Sequence, residues 1–347
     1  MFRFDELALP IIQAPMAGGV STPALVAAVA NAGAIGSFGF AYSTPEKIDA
    51  DLRQAKSLTK GVVNANFFVF EPLDAPEPAQ QQQAIDALKK LPVSIESAYT
   101  AIEPPFYPSL EQQLEPVWAH RPAILTFHFG LVEASIIEQA HALGIAVGIT
   151  ATNLEQAQAI ENSNADFIVA QGIEAGGHRG TFAADPPEDA ALSAIELTAL
   201  LRAHCHIPTV TAGGIMDGAD INRALEAGAH AAQLGTAFVC CDESGATQAH
   251  KTLMLEQPQR GSVLTKGFSG RWARGIRNEF IDLMQNEPTL PFPVQNTLTG
   301  PLRQWAARAN NGEYQSLWAG SAYARARAMP AAALLAKLAQ ELHQAQQ

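Results

Sequence analysis

The ten residues Gln171-Gly-Ile-Glu-Ala-Gly-Gly-His-Arg-Gly180 set one imidazole among four glycines, directly after the apolar run Asp166-Phe-Ile-Val-Ala170. Histidine is the side chain best placed to exchange a proton near neutrality. Glycine lets the backbone take positive φ and bring its N–H groups close to a bound group. The segment therefore offers proton-transfer chemistry at His178 beside a ligand held by main chain. A tight strand-to-helix turn carrying a solvated histidine has the same composition, so the elements that position the loop must decide between the two.

Short apolar runs that end in small or polar residues recur along the chain, separated by segments of helical periodicity. Eight such runs are predicted as strands: Ile11 to Gln13, Ala34 to Phe38, Val62 to Asn66, Ala123 to Phe127, Ala146 to Thr150, Phe167 to Gln171, Thr209 to Ala212 and Ala231 to Leu234. Helices are predicted between them at Pro23 to Asn31, Pro45 to Ser57, Gln80 to Lys90, Val132 to Leu143, Leu154 to Asn162, Ala194 to Ala203 and Ala219 to Ala227. Thr22-Pro23 and Thr44-Pro45 pair a capping residue with proline in the first turn, and Asn153 and Asp217 can accept from exposed helical N–H groups. This alternation predicts a (β/α)8 barrel formed by residues 1–236 plus 312–347, closed by a helix from Pro330 to His343. Residues 237–311 lack clean alternation and are predicted as a mostly helical lid inserted after the eighth strand. Two excursions rich in proline and acids, Glu71 to Pro122 and Phe182 to Ser193, are expected around the mouth.

Active sites of such barrels lie at the C-terminal ends of the strands. There the chain presents Gln13-Ala14-Pro15-Met16, Asn66, His128, Gln171 with the His178 loop, Ala212-Gly213-Gly214-Ile215, and Gln233-Leu234-Gly235-Thr236. The last two lie where barrels hold phosphate by backbone N–H groups, without lysine or arginine. Two glycine turns on adjacent strand ends favour a phosphate-bearing ligand over mere close packing of helix on strand. Asn66 and Gln171 carry donors and an acceptor in one plane. They either read the polar edge of a heterocycle or satisfy main chain at the mouth. His128 reads as pocket lining or as a buried hydrogen-bonded histidine.

Composition removes other classes. The chain has 347 residues, 34 acidic against 22 basic, a net charge of −12, and no basic block interleaved with aromatics, so nucleic acid is not expected as a partner. The uncharged stretch Pro23 to Tyr42 is broken by Asn31, Gly33, Gly36 and Gly39 and reads as a helix plus a buried strand, not a membrane span. Met1 to Glu6 carries acids where an export signal carries bases, and Cys205, Cys240 and Cys241 form no C-x-x-C motif; the cytoplasm is the expected location. His204-Cys205-His206 diverge at a helix end, so no metal is expected. No G-x-S-x-G elbow and no Rossmann or Walker spacing occurs.

Taken together, Gln13-Ala-Pro-Met16, Asn66, Gln171 through Gly180, Ala212-Gly-Gly-Ile215 and Gln233-Leu-Gly-Thr236 resemble the nitronate monooxygenase family, formerly called 2-nitropropane dioxygenases. Phe268-Ser-Gly-Arg-Trp-Ala-Arg-Gly-Ile-Arg-Asn278 and Leu317-Trp-Ala-Gly320 resemble its later motifs. The resemblance implies a TIM barrel that uses FMN and O2 to oxidise alkyl nitronates to carbonyl compounds and nitrite. It implies flavin contacts from Asn66 and Gln171. Gly176, Gly177, Gly213, Gly214, Gln233, Leu234, Gly235 and Thr236 would hold the ribityl-phosphate end, and Ala14, Pro15 and Met16 would pack on the ring. His178 would be the catalytic residue, removing a proton from a nitroalkane or, protonated, holding the nitronate. His128 and Phe292 would line the substrate pocket. Around Leu290 to Asn296 some relatives would place tyrosines, whereas this chain has Phe292 and Asn296. The same loops also resemble NAD(P)H-dependent FMN reductases of quinones or enoyl thioesters, and a non-catalytic phosphate-ligand-binding barrel is a third reading.

Overall fold

The computed structural model describes residues 2–93, 99–184 and 189–347. Parts of the two expected excursions, 94–98 and 185–188, lie outside the described residues. The strands are β1 (Ile11–Gln13), β2 (Gly36–Gly39), β3 (Val63–Phe68), β4 (Ile124–His128), β5 (Ala146–Ala151), β6 (Phe167–Gln171), β7 (Gly177–His178), β8 (Thr209–Ala212), β9 (Ala231–Leu234), β10 (Ser262–Thr265) and β11 (Ala273–Ile276). Eight of them form one parallel sheet in the order β1-β9-β8-β6-β5-β4-β3-β2. Its ends meet through Ile35, whose N–H donates to Ile11 O at 3.0 Å and whose carbonyl accepts from Gln13 N at 2.9 Å. The buried Gln13 carboxamide bridges the same junction, accepting from Ser37 N at 3.0 Å and donating to Ser21 Oγ at 3.1 Å. The sheet is thus a closed (β/α)8 barrel.

Period-two alternation decides which strand residues face the barrel interior. On β6, Phe167 and Val169 join the interior cluster with Ile12, Ile35, Ile124, Val210, Ala212 and Ala231, while Ile168 and Ala170 pack outward against helices. Continuing that alternation turns Gln171 inward at the mouth. Asn66 with Phe68 on β3, and Thr126 with His128 on β4, follow the same rule, since Ala65, Phe67, Leu125 and Phe127 are in the outer cluster. Phe2, Phe4 and Leu7 pack against the interior cluster from the N-terminal segment, with the Phe4 ring edge-on to Phe167 at 5.2 Å.

Helix starts match local chemistry. Thr22 and Thr44 accept from Leu25 N and Lys47 N ahead of Pro23 and Pro45, and Asn153 and Asp217 cap the helices Leu154–Asn162 and Gly218–Glu226. One crossover differs from expectation. The wall helix between β3 and β4 is Leu110–His120, whose Leu114 and Val117 join the outer cluster, whereas Pro78–Lys89 packs its Ala84, Ile85 and Leu88 with lid residues Phe268, Phe280 and Leu302. Pro116 inside Leu110–His120, and its glutamine- and glutamate-rich surface, hide that helix from a periodicity reading. The closing helix is Ala331–Ala345.

The segment after β9 contains the short helices Gln248–Glu256, Glu279–Met284, Val294–Leu298 and Gly300–Arg308. It also holds the β10–β11 hairpin, whose strands are too short and too polar to register as apolar runs. Antiparallel pairing of β11 with β7 sets Ala273 opposite His178 and Arg274 opposite Gly177. Within the glycine-histidine loop, Gly177–His178 is therefore the third strand of a small antiparallel sheet with β10 and β11, and the loop is not a tight strand-to-helix turn carrying a solvated histidine. Among the described residues no helix is long and apolar enough to cross a membrane.

Candidate active site

A cavity of about 400 Å³ opens at the C-terminal ends of the barrel strands. Ala14, Pro15, Met16, Asn66, His128, Gln171, Gly176, Gly177, His178, Gly213, Gly214, Gln233, Gly235 and Thr236 all line it. Two expected site residues lie elsewhere. Leu234 alternates outward on β9 into the cluster with Ile11, Leu25 and Phe238, so its side chain cannot reach a ligand. Phe292 lines a neighbouring recess with Phe70 and Leu290, although its ring lies 5.4 Å from that of His178.

At one end, main chain forms the wall. Gly213 and Gly214 take φ of +130° and +71°, conformations that side chains other than glycine's rarely adopt. Gly176 is required for a different reason: a Cβ there would lie 2.6 Å from Ala319 C and Gly320 N. That close approach seats Gly320, whose N–H donates to Thr236 Oγ1 at 2.9 Å.

At the other end, side chains hold the His178 strand in place. Gln171 Nε2 donates to the His178 carbonyl at 3.0 Å, and its Oε1 accepts from Gly180 N at 2.7 Å. His128 Nε2 lies 3.2 Å from the same carbonyl. A carbonyl only accepts, so the His128 proton sits on Nε2. The buried Arg179 guanidinium donates to Gln171 O at 2.6 Å and makes a two-pronged ion pair with Asp189 at 2.7 and 2.8 Å. From the lid, Arg274 Nε donates to Ile173 O at 3.0 Å. The main chain that carries His178 is thus held by four polar side chains, Gln171, His128, Arg179 and Arg274, none of which the motif pattern marks as its support.

His178 Nε2 lies 2.9 Å from Ser269 Oγ. Ser269 accepts from Arg271 N at 3.3 Å and donates to Arg271 O at 3.1 Å, so the oxygen's remaining role is to accept from His178 Nε2–H. This assigns the lone pair to Nδ1. Aromatic rings of Phe68, Phe129, Phe292 and Trp318 surround the imidazole, with centroids 5.4 to 5.9 Å away. Burial pushes its pKa down to about 3, and the nearby Arg271, His128 and Arg303 add to the shift. His128 is likewise held down to about 3 by burial. Desolvation thus opposes a standing positive charge on His178, one of the two expected roles, and among the described residues the cavity lining holds no carboxylate to offset it.

Asn66 Nδ2 donates to Thr126 Oγ1 at 3.0 Å and to Thr126 O at 3.2 Å, which aligns its carboxamide at the mouth. Three further lining residues escaped the sequence reading. His250 has a buried Nε2 without a hydrogen-bond partner among the described residues, Tyr42 has a buried hydroxyl in the same condition, and Arg303 comes from the lid helix Gly300–Arg308. Tyr42 lies just beyond β2 but carries no spacing signal, and His250 and Arg303 follow no barrel strand directly. Only the lid packing brings Arg303 to the mouth. Among the described residues the lining contains no aspartate or glutamate and one charged side chain, Arg303, in a protein of net charge −12.

Fold and site define a TIM barrel whose mouth cavity, among the described residues, is lined by one guanidinium and three imidazoles and by no carboxylate. The chain belongs to the nitronate monooxygenase family, whose model matches residues 4–341. It is 42% identical over 348 residues to a nitronate monooxygenase of Pseudomonas aeruginosa, covering 96% of each protein. It is also 36% identical to a probable nitronate monooxygenase of Bacillus subtilis, over 91% of this chain and 90% of that one. Among solved structures, the nitroalkane oxidase of Streptomyces ansochromogenes superimposes with a TM-score of 0.90 at 36% identity, covering 99% of this chain and 98% of that one. FabK of Thermotoga maritima shares the fold, with a TM-score of 0.76 at 21% identity over 99% and 97% of the two chains.

Proposed function

We propose that this chain oxidises alkyl nitronates with O2 to carbonyl compounds and nitrite, holding FMN in the mouth cavity. The observation that carries the reading is the cavity's charge: a lining free of carboxylates among the described residues, with one guanidinium and a neutral imidazole, suits an anionic cofactor and an anionic substrate together. The positive-φ turn at Gly213-Gly214 fits a phosphate approached by main chain, and Gly235 and Thr236 complete that end. Ala14, Pro15 and Met16 present a small apolar edge for the ring, and Asn66 and Gln171 present carboxamides to its polar edge. When bound, FMN supplies the electron transfer and the reaction with oxygen.

The protein's own part is to orient substrate, exclude water and govern the proton at His178. Four aromatic rings around the imidazole give that end of the pocket an apolar wall. A base whose conjugate acid ionises near 3 is poorly matched to removing a carbon-bound proton at neutral pH. The site accordingly suits substrates that arrive already ionised, with His178 lining the pocket that would receive them. In this reading residues 1–236 and 312–347 form the FMN-binding barrel and 237–311 the cap, joined by helix Pro78–Lys89. The three cysteines are free and buried, which fits a cytoplasmic setting.

The test is to purify the protein, record a flavin spectrum, and mix it anaerobically with ethyl nitronate, NADH or NADPH. Reduction by nitronate, with nitrite released once air is admitted, is the expected result. Rapid bleaching by NADH or NADPH without nitrite formation from nitronate would instead make the chain a nicotinamide-dependent flavin reductase. A colourless protein that rejects FMN would remove both enzymes and leave a non-catalytic barrel.

A further inference from the structure

We infer that Arg303 and Tyr42 form a clamp for the negatively charged oxygens of the substrate in the mouth cavity. The inference rests on the nitronate reading for the identity of the anion, and on the following geometry for its place.

Arg303 projects from the lid helix Gly300–Arg308 into the cavity. Its Nε donates to Thr299 Oγ1 at 3.2 Å and its Nη2 donates to Asn296 O and to Asn296 Oδ1, the latter at 3.0 Å. All three acceptors are neutral, and among the described residues the guanidinium has no carboxylate within ion-pair distance. A partly buried guanidinium with only neutral acceptors keeps a net positive charge in a poorly solvated place, which is costly unless an anion joins it. Nη1 makes no hydrogen bond among the described residues. Its two hydrogens are the donors left for a ligand.

Tyr42 follows β2 and lines the same cavity. Its ring stands edge-on to Phe68 at 5.7 Å, and Phe68 stands edge-on to His178 at 5.8 Å, so the phenol lies one ring beyond the imidazole. Its hydroxyl is buried and unpartnered. A buried hydroxyl left without a partner is a cost to the folded protein, and it becomes useful where a bound oxygen accepts its proton. Arg303, Tyr42 and His178 all line this one cavity, and the guanidinium acts electrostatically on both other groups. A planar anion with two oxygens, bonded to Nη1 of Arg303 and to the Tyr42 hydroxyl, would sit between them with its far edge toward His178. The positive charge that faces the anion then comes from Arg303.

The test uses the FMN-loaded protein and nitrate, a planar N–O anion that the enzyme cannot oxidise, followed by perturbation of the flavin absorbance. Nitrate should bind to the wild type and compete with ethyl nitronate. Arg303→Gln should weaken nitrate binding about tenfold or more and raise KM for ethyl nitronate in parallel, with Arg303→Lys recovering most of both, because the charge and not the contact to Asn296 is what matters. Tyr42→Phe should weaken nitrate binding by roughly threefold to tenfold while leaving Tm unchanged or higher, since it deletes a polar group that has no partner in the free protein. If Arg303→Gln fails to fold, the lysine and phenylalanine variants carry the test. Absence of nitrate binding by the wild type, or wild-type affinity in Arg303→Gln or Tyr42→Phe, would overturn the clamp. A protein that binds nitrate through these residues but does not oxidise nitronates would keep the clamp and sink the reaction.

Discussion

The two ends of the mouth cavity are built on opposite principles. At the Gly213-Gly214 and Gly235-Thr236 end, recognition is by main chain, and the residues matter for the side chains they lack. At the His178 end, recognition is by side chains drawn from β3, β4, the β10–β11 region and the lid helices, and the backbone is only their scaffold. The first end is fixed by local conformation, the second by tertiary packing. Substitutions at the first should therefore cost cofactor, and those at the second should cost turnover with cofactor retained.

The largest effect is expected where a side chain would be forced into main chain. Gly176→Val would drive Cβ to within 2.6 Å of the Ala319–Gly320 peptide, displacing the segment that bonds Thr236. FMN content after purification should fall to near zero, with affinity lowered by about a hundredfold for strain of a few kcal/mol. A yellow Gly176→Val protein would show that this end does not depend on the close approach. Next comes His178→Asn, which should keep FMN at wild-type stoichiometry while turnover of ethyl nitronate falls by about tenfold to a hundredfold. Equal loss of flavin in both variants would erase the distinction between the ends.

A smaller effect should follow from Ser269→Ala. Ser269 is the one hydrogen-bond partner of the His178 ring among the described residues, and its removal frees the imidazole to exchange tautomers. Loss of one such bond corresponds to roughly a fivefold to tenfold fall in turnover, with FMN affinity unchanged. Steady-state kinetics beside flavin titration checks both halves; an unaltered turnover would mean that the tautomer is set by something other than the serine.

What sequence made legible follows the same division. The barrel was readable because its strands are short apolar runs between periodic helices, and the main-chain end because glycine at a strand end has few other uses. Leu234 shows where a motif blurs the two faces of a strand: period-two alternation turns its side chain into the helix-packed layer, so that only its main chain is left for a ligand, while its neighbour Gln233 lines the cavity. Helix Leu110–His120 was obscured by Pro116, so Pro78–Lys89 was given its place on the wall. Strands β10 and β11 have too few apolar residues to stand out, and with them went the pairing that fixes His178. Arg303 and Tyr42 are 261 positions apart and meet only through lid packing, so no spacing in the chain announces them.

The smallest and most diagnostic expectation concerns pH. Both His178 and His128 are pushed down to about 3 by burial, whereas in the unfolded chain each titrates near its ordinary value of about 6.5. Between those values the unfolded state binds the protons and the folded state does not, so stability falls as pH drops below about 6.5 and continues to fall toward 3; above about 6.5 the two histidines contribute no slope. In thermal melts, Tm should be level from these groups above neutrality and decline through the acidic range, and the combined His128→Asn and His178→Asn variant should flatten that decline. The same depression means that kcat for ethyl nitronate should show no inflection of histidine origin between pH 5 and 8, a range in which about 99% or more of His178 is neutral. An inflection near 6.5 that disappears in His178→Asn would place the imidazole in water, open the apolar-walled end of the cavity, and collapse the contrast between a main-chain site for the cofactor and a desolvated side-chain site for the substrate.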